Sequence, residues 1–195
     1  MEKRDELIEM ERYLSLIHFA KDEIKLYEQL YVSQDSVSKI EKTFPAAFVV
    51  IKMSMFSSIL TRVSACMEKE GSEKQGFNIS LDRMFSLFSE YVDVDQRQRL
   101  DALKAKYENL RIKKFRNKLI AHNDSTTAFS VEEYAHNIQP GSLYDLMDQA
   151  YSLVLSVFQR LPEFEHFELS VPPPQIPPGK DGYALLSAVY KGVYG

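Results

Sequence analysis

The 195-residue chain has 45% hydrophobic and 27% charged residues, ordinary values for a globular protein that exclude wholesale disorder. Its formal charge of −4 gives it an acidic body, which repels nucleic acid in general. Glycine occurs only seven times, alternating β-branched runs are nearly missing, and Leu, Lys, Glu, Ala and Met recur at helical spacing. We expect an all-α bundle of about five helices at residues 1–162, followed by a Pro-rich C-terminal extension at residues 163–195.

Cysteine content and hydropathy indicate the cellular compartment in which the protein is expected. The single cysteine, Cys66, cannot form an internal disulfide and lies in an apolar run, which is typical of a buried thiol. The first ten residues are charged throughout and lack the apolar region of a secretory signal. Residues 44–60 form the most apolar stretch, but this stretch contains Lys52 and is shorter than the ~20 residues needed to span a bilayer. We expect a soluble, cytoplasmic protein.

The N-terminal third predicts two long helices. Residues 2–31 indicate one amphipathic helix, or two abutting ones, because apolar residues recur at intervals of three, four and seven. A polar connection follows at residues 32–43. Pro45 marks the next helix start, since proline is tolerated in the first turn. Residues 46–70 are apolar on almost every side, which predicts a helix at the centre of a bundle.

Shorter elements surround the middle of the chain. Residues 71–78 (GSEKQGFN) predict a flexible loop, and the serine that follows them is placed to cap a short helix at residues 81–91. A further helix begins at Gly141–Ser142 and ends at Pro162. The proline run VPPPQIPPG predicts an extended arm. The apolar tail at residues 181–195 predicts a short helix that docks elsewhere, for example on a partner subunit.

Residues 94–121 contain no glycine or proline, and their pattern predicts one helix of about seven turns. Its apolar stripe changes side partway along. The apolar residues up to Leu110 share one face, whereas Ile112, Phe115 and Leu119 fall nearly opposite. We interpret this switch as a change of packing partner, either to a different helix or to a second copy of the chain.

The same segment is the most basic part of the chain. Residues 97–122 hold nine basic and two acidic residues, a local charge of +7, so the remainder of the chain carries −11. An acidic body with one basic helix steers a polyanion toward that helix. The alternative from charge alone is a solvated helix face that happens to be basic.

The basic segment ends in the sequence RNKLIAH at residues 116–122, with Asp124 two residues further on. Arg116 and His122 resemble the R-x(4–6)-H signature of the HEPN superfamily, small helical bundles that include metal-independent ribonucleases of toxin–antitoxin, CRISPR-linked and abortive-infection systems. The order of a central apolar helix, a loop, the short helix ISLDRMFSLF and a long helix ending in the motif resembles the abortive-infection branch. The resemblance covers residues 46–124 and implies a HEPN-like bundle that pairs two motifs in the basic cleft of a homodimer.

The bare spacing does not identify the site, because it occurs three times, at residues 12–18, 116–122 and 160–166. The first match lies in an acidic helix, and the third is interrupted by Pro162. Only Arg116 is followed by asparagine, lies in the basic segment and reaches its histidine at the end of a long helix.

Arginine and histidine suit metal-free RNA cleavage, in which the 2′-hydroxyl attacks the adjacent phosphate. Histidine transfers protons near neutral pH, and the planar fork of arginine donates two hydrogen bonds to phosphate oxygens. We take Arg116, Asn117 and His122 as candidate catalytic residues, with Asp124 in support to fix the imidazole tautomer. The candidate RNA-binding residues are Lys113, Lys114 and Lys118.

Two classes of function stay open. The first is a dimeric endoribonuclease of phage defence or of a toxin–antitoxin pair, with RNA as substrate and an antitoxin protein as a possible partner. The second is a noncatalytic helical module that binds a protein or nucleic acid through the basic helix and the Pro-rich tail. The sequence contains no glycine-rich phosphate loop, no paired Cys/His metal spacing and no H-E-x-x-H, so we expect no metal or cofactor.

Overall fold

The computed structural model of the chain describes residues 3–72, 76–121, 136–166, 176–177 and 179–195. These residues form eight α-helices and a hairpin of two short strands, so the all-α class is confirmed and the expected number of about five helices is too low. The elements are α1 (Lys3–Tyr31), α2 (Gln34–Lys42), α3 (Pro45–Met67), β1 (Gly71–Ser72), β2 (Gly76–Phe77), α4 (Leu81–Leu87), α5 (Val94–Asn109), α6 (Ile112–Ala121), α7 (Ser142–Phe158) and α8 (Gly182–Tyr194).

Helix α1 is the centre of the bundle. It runs unbroken and packs against α3 and α7 along its length, with α2, α4 and α8 also in contact. Leu14 and Ile17 on its inner stripe are fully buried, as are Leu60 of α3 and Val154 of α7. The amphipathic pattern of residues 2–31 therefore predicted both the helix and its buried face.

Helix α2 occupies the segment expected to be a polar connection. Ser33 begins it, because its side-chain oxygen accepts a hydrogen bond from the backbone N–H of Ser36 at 3.1 Å. The Ser36 hydroxyl donates in turn to the carbonyl oxygen of Gln29 on α1. Ile40 is buried against α1, α3 and α8. A capping serine and one buried isoleucine are enough to form a short helix whose other residues are polar.

Helix α3 is not buried on all sides, contrary to the sequence prediction. Its C-terminal half is covered, with Ile59 and Leu60 at 1% and 0% exposure. Its N-terminal half is covered on one side only, where Phe48 is buried, and Val50 and Met53 are 66% and 48% exposed. A sequence that is apolar on every side contains no information about which end of the helix the neighbouring helices reach.

Helix α3 spans 23 residues and ends at Met67, three residues before the end that the sequence predicts. By length and composition it is the one helix in the described part of the chain that is long and apolar enough to cross a membrane, and 22% of its most apolar window is buried. A single helix of this kind is weak evidence for a membrane protein, since core helices of soluble proteins pass the same test.

The predicted seven-turn helix at residues 94–121 is wrong, because it breaks between α5 and α6. Arg111 adopts a left-handed backbone conformation with φ of 56°. Asn137, from the segment before α7, covers the broken end by donating its side-chain amide to the carbonyl oxygen of Asn109 at 2.7 Å and its backbone N–H to that of Leu110. The apolar stripe changes side at this break because α5 packs against α7 whereas α6 packs against α3, so the predicted change of packing partner to a different helix is confirmed.

We expect Arg111→Gly to raise the free energy of unfolding by about 0.5–1 kcal/mol, because glycine adopts a left-handed conformation without the steric cost that other residues incur. The matched control is Arg99→Gly, at an exposed position inside α5. This substitution should lower the free energy of unfolding by about 1 kcal/mol. Urea unfolding of both variants measures whether each substitution raises or lowers the free energy of unfolding. A loss of stability in both would contradict a strained backbone at Arg111.

The C-terminal helix α8 docks on its own chain, against α1 and α2, and the expectation of docking on a partner subunit is not needed for this contact. The backbone N–H of Gly182 donates to the side-chain oxygen of Gln29 on α1 at 3.0 Å. A Cβ atom at Gly182 would lie 3.0 Å from the Cβ atom of Gln29, closer than ordinary van der Waals contact, so a larger residue would have to displace Gln29 by a few tenths of an ångström. Most of the proline run, residues 171–175 and 178, lies outside the described residues, and the two-domain division stays a prediction.

The prediction that Cys66 is a buried thiol is confirmed. It is 1% exposed within the core, and burial raises the pKa of its thiol to about 12. A thiol in this environment stays protonated and is a poor nucleophile.

Candidate functional site

Helix α6 presents the basic motif on its outward side. Ile112 and Phe115 are buried and fix the helix on the body, with the Phe115 ring 5.9 Å from that of Phe56 on α3. Because these two positions face inward, the residues between and beside them face away. Lys113 and Lys114 are accordingly exposed.

Arg116 is held by two neighbours. Its Nη1 lies 2.8 Å from Oε1 of Glu68, the residue that ends α3. Its Nε and Nη2 both donate to the side-chain oxygen of Asn117, at 3.2 and 2.9 Å. The Arg116 side chain is 21% exposed, so the guanidinium lies at the surface between α3 and α6 and is oriented before any ligand binds.

The contact with Glu68 is electrostatic. Within the described residues, Glu68 Oε1 makes no hydrogen bond although it is buried and close to Arg116 Nη1. Behind it, the Tyr107 hydroxyl of α5 donates to the Ser64 hydroxyl of α3 at 3.2 Å. Burial raises the pKa of Tyr107; the Ser64 hydrogen bond and the Arg116 charge oppose this shift, and the Glu68 carboxylate reinforces it. Three helices therefore meet at Arg116.

The other candidates are placed only in part. Asn117 is exposed, and its side-chain oxygen accepts a hydrogen bond from Arg116. The backbone of Lys118 belongs to α6, but its side chain lies outside the described residues. His122 and Asp124 lie outside them altogether. The structure therefore joins Arg116 with Asn117 and Glu68, and the pairing of Arg116 with His122 stays a prediction.

The basic segment is partly neutralised by carboxylates from other elements. Lys104 pairs with Asp82 of α4, and Lys106 pairs with Asp145 of α7. Together with Arg116, these pairs engage three of the nine basic residues. Lys113 and Lys114 form no ion pair with any residue in the described ranges. The remaining positive charge is divided between Lys113 and Lys114 on α6 and three arginines at or before the break, Arg97, Arg99 and Arg111.

The other two matches to the motif spacing have structural surroundings. Arg160 pairs with Asp93, whose carboxylate also caps the start of α5. His18 packs edge-on against the Tyr151 ring at 4.8 Å, and partial burial lowers its pKa. These contacts agree with the preference for the match at residues 116–122.

Sequence reasoning missed two groups near α6. Glu68 precedes Arg116 by 48 positions and lies at the end of another helix, so no local spacing predicts the pair. His136 packs edge-on against the Phe115 ring at 4.6 Å. It belongs to no sequence motif, and only its residue type marks it as a candidate.

Comparison with known proteins gives one result at the family level. The family model HEPN_AbiU2 (AbiU2) matches residues 4–161, which include every helix except α8. No curated protein matches the chain, and neither does any solved structure. The match covers most of the chain, including α3, α6 and the Arg116 site. The chain therefore belongs to the HEPN_AbiU2 family, in the abortive-infection branch of the HEPN superfamily.

Proposed function

We propose that this chain is a metal-independent endoribonuclease of an abortive-infection system in phage defence, or of a toxin–antitoxin pair. The observation that carries the proposal is the position of Arg116, oriented by Asn117 on the outward side of α6, beside Lys113 and Lys114, which form no ion pair with any described residue. Membership of the abortive-infection branch supports the biological setting.

The chemistry follows from these residue types. The 2′-hydroxyl oxygen of RNA attacks the adjacent phosphorus, and its proton passes to a base. The bond from phosphorus to the 5′-oxygen breaks, and that oxygen takes up a proton, leaving a 2′,3′-cyclic phosphate and a 5′-hydroxyl. His122 is the candidate for proton transfer, because histidine titrates near neutral pH. Arg116 donates to the phosphate oxygens as negative charge develops on them.

Glu68 has a defined part in this proposal. In the free protein its carboxylate holds Arg116 near the surface, at 2.8 Å. A bound phosphate competes for the same guanidinium and brings its own negative charge beside the carboxylate. Such a partly exposed pair is worth about 1 kcal/mol or less, so RNA binding is strong enough to replace it.

A second candidate function is a noncatalytic helical module that binds a protein or nucleic acid. The observation that favours it is that three nitrogens of the Arg116 guanidinium already have partners, in Glu68 and Asn117. An arginine in this position also ties α6 to the end of α3. Salt-sensitive RNA binding without cleavage, unchanged in His122→Ala, would select this function.

The test of the endoribonuclease is cleavage of end-labelled RNA by the purified full chain in a buffer containing a metal chelator. The expected products carry 2′,3′-cyclic phosphate and 5′-hydroxyl ends. Intact RNA at every pH, with or without added metal, would refute the proposal.

The proposal includes a homodimer in the cytoplasm, with an antitoxin as a possible additional partner. The exposed half of α3 supports the dimer, because Val49, Val50, Ile51 and Met53 are all at least 44% exposed and Lys52 is the only charge among them. A contiguous apolar surface of this kind marks an interface. In a twofold dimer, the same surface of a second copy covers it.

We expect Val50→Asp to convert the dimer to a monomer, because it places a charge at the centre of the apolar surface. Sedimentation equilibrium measures the change. Gln34→Asp, at an exposed position of α2, is the control and should leave the mass unchanged. A monomeric parent protein would contradict the dimer, and flotation of the parent with lipid vesicles that Val50→Asp abolishes would assign the surface to a membrane instead.

A further inference from the structure

A cavity of about 250 Å³ opens between α1, α3 and the segment that leads into α7. Its floor is apolar, formed by Ile24, Ile59 and Leu143. Ligand pockets for drug-sized molecules begin at about 300 Å³, so this cavity suits one small ring system. The Arg116 site does not use it.

The wall of the cavity is aromatic. The rings of Tyr27 and Phe56 stack at 5.4 Å with an interplanar angle of 23°. His136 completes the wall, with its ring 6.4 Å from Phe56. Flat heterocycles bind to such surfaces by ring contacts that are worth about 1–3 kcal/mol for a nucleic-acid base.

Two polar groups at the cavity have free positions. Glu28 Oε1 accepts from the backbone N–H of Gly141 at 2.6 Å, and its other oxygen makes no hydrogen bond to any described residue. His136 Nδ1 accepts from the backbone N–H of Ile138 at 3.2 Å, which places the proton of the neutral ring on Nε2. One acceptor and one donor thus remain at a largely apolar cavity, the arrangement that orients a ligand.

We propose that this cavity binds a single unstacked RNA base, adenine or cytosine. Both bases present an amino donor next to a ring-nitrogen acceptor, which matches the carboxylate of Glu28 and the Nε2–H of His136. Uracil has no amino group and presents a different order of donors and acceptors. The inference rests on the proposed function for its choice of RNA as the source of the base.

The cavity is also adjacent to the proposed catalytic helix. His136 contacts Phe115, and Phe115 directly precedes Arg116 on α6. Phe115 therefore faces the cavity wall, while Arg116 extends toward Glu68. An RNA strand that binds along α6 passes both, so a base held here would give the enzyme a sequence preference close to the cleaved bond.

The test is a titration of cytidine, adenosine and uridine into the isotope-labelled full chain, followed by NMR at the His136 and Phe56 rings. We expect cytidine and adenosine to bind about tenfold more tightly than uridine. In Glu28→Gln, the side-chain carbonyl still accepts from Gly141, but an amide donor replaces the free acceptor. This variant should lose the preference for amino-bearing bases and bind uridine at least as well.

The matched control is Glu23→Gln, on the same helix and with the same loss of charge. Glu23 pairs with Arg62 and does not line the cavity, so the base preference should be unchanged. His136→Ala, at an exposed position, gives a second test that does not depend on Glu28 and should weaken cytidine binding about fivefold. Equal binding of all three nucleosides, or identical preferences in the two glutamine variants, would overturn the inference.

The experiment separates this inference from the proposed function. RNA cleavage that depends on Arg116, without nucleoside binding at His136, would refute the base site and leave the endoribonuclease standing. Nucleoside binding with the expected preference, without cleavage of any RNA, would refute the endoribonuclease and leave the base site standing.

Discussion

Arg116→Ala is expected to lower the rate of RNA cleavage by about 100- to 1000-fold, the effect of removing one donor that stabilises developing negative charge. The guanidinium is the oriented cation of the site, held by Glu68 and Asn117 at the surface of α6. Single-turnover cleavage with chelator present measures the loss. Circular dichroism should show an intact fold, because a partly exposed ion pair contributes about 1 kcal/mol or less.

Arg160→Ala is the matched control. Arg160 has the same spacing to a following histidine and, like Arg116, forms an ion pair with a carboxylate of another element, Asp93. The Arg160→Ala variant should cleave RNA at close to the parental rate. His122→Ala should lose activity as Arg116→Ala does. Equal losses in the two arginine variants would show that a general effect on the fold, and not phosphate contact, explains the result.

Glu68→Gln separates catalysis from a structural tie at Arg116. If Glu68 only restrains the guanidinium in the free protein, removal of its charge should keep or increase cleavage, because phosphate no longer competes with a carboxylate. If the ion pair itself builds the active conformation, Glu68→Gln should lose activity together with Arg116→Ala. A variant that is inactive at an unchanged melting temperature would therefore contradict the competition between Glu68 and phosphate.

The sequence predicted those helix starts that depend on a single residue type. Pro45 begins α3, Ser80 caps α4 through a hydrogen bond from the Arg83 backbone N–H, and Gly141 precedes α7. Each signal acts within one turn of the chain. The HEPN resemblance was also correct, since the HEPN_AbiU2 family model matches residues 4–161.

Features that depend on tertiary contacts were not predictable from local pattern. Arg111 is neither glycine nor asparagine, so nothing in its identity signals a left-handed residue. The reversal of the apolar stripe indicates a change of packing partner, which α5 on α7 and α6 on α3 confirm, but it does not show that the helix breaks there. The pairing of Arg116 with Glu68 depends on how α6 lies against α3, which no spacing within α6 encodes.

The largest effect on stability is expected for Leu60→Ala, which should lower the free energy of unfolding by about 2–5 kcal/mol. Leu60 is fully buried between α3 and the rest of the core, so its removal leaves a cavity. Val50 lies on the same helix and is 66% exposed, so Val50→Ala should change the free energy of unfolding of the monomer by about 0.5 kcal/mol or less. A helix buried on every side would give large losses at both positions, so comparable losses would favour the pattern-based prediction over the structure.

The dependence of the unfolding midpoint on protein concentration tests whether a second copy of the chain covers Val50. Unfolding of a dimer is coupled to dissociation, so a side chain buried between two copies stabilises the fold more as the concentration rises. The urea concentration at the midpoint of unfolding should be higher at the higher of two protein concentrations that differ about 20-fold. This increase is expected for the parent protein and for Leu60→Ala alike. In Val50→Asp, which should remove the proposed dimer, the midpoint should not depend on protein concentration. A parent midpoint that is equally independent would show that the exposed half of α3 is not an interface between copies, and that its apolar residues serve another partner.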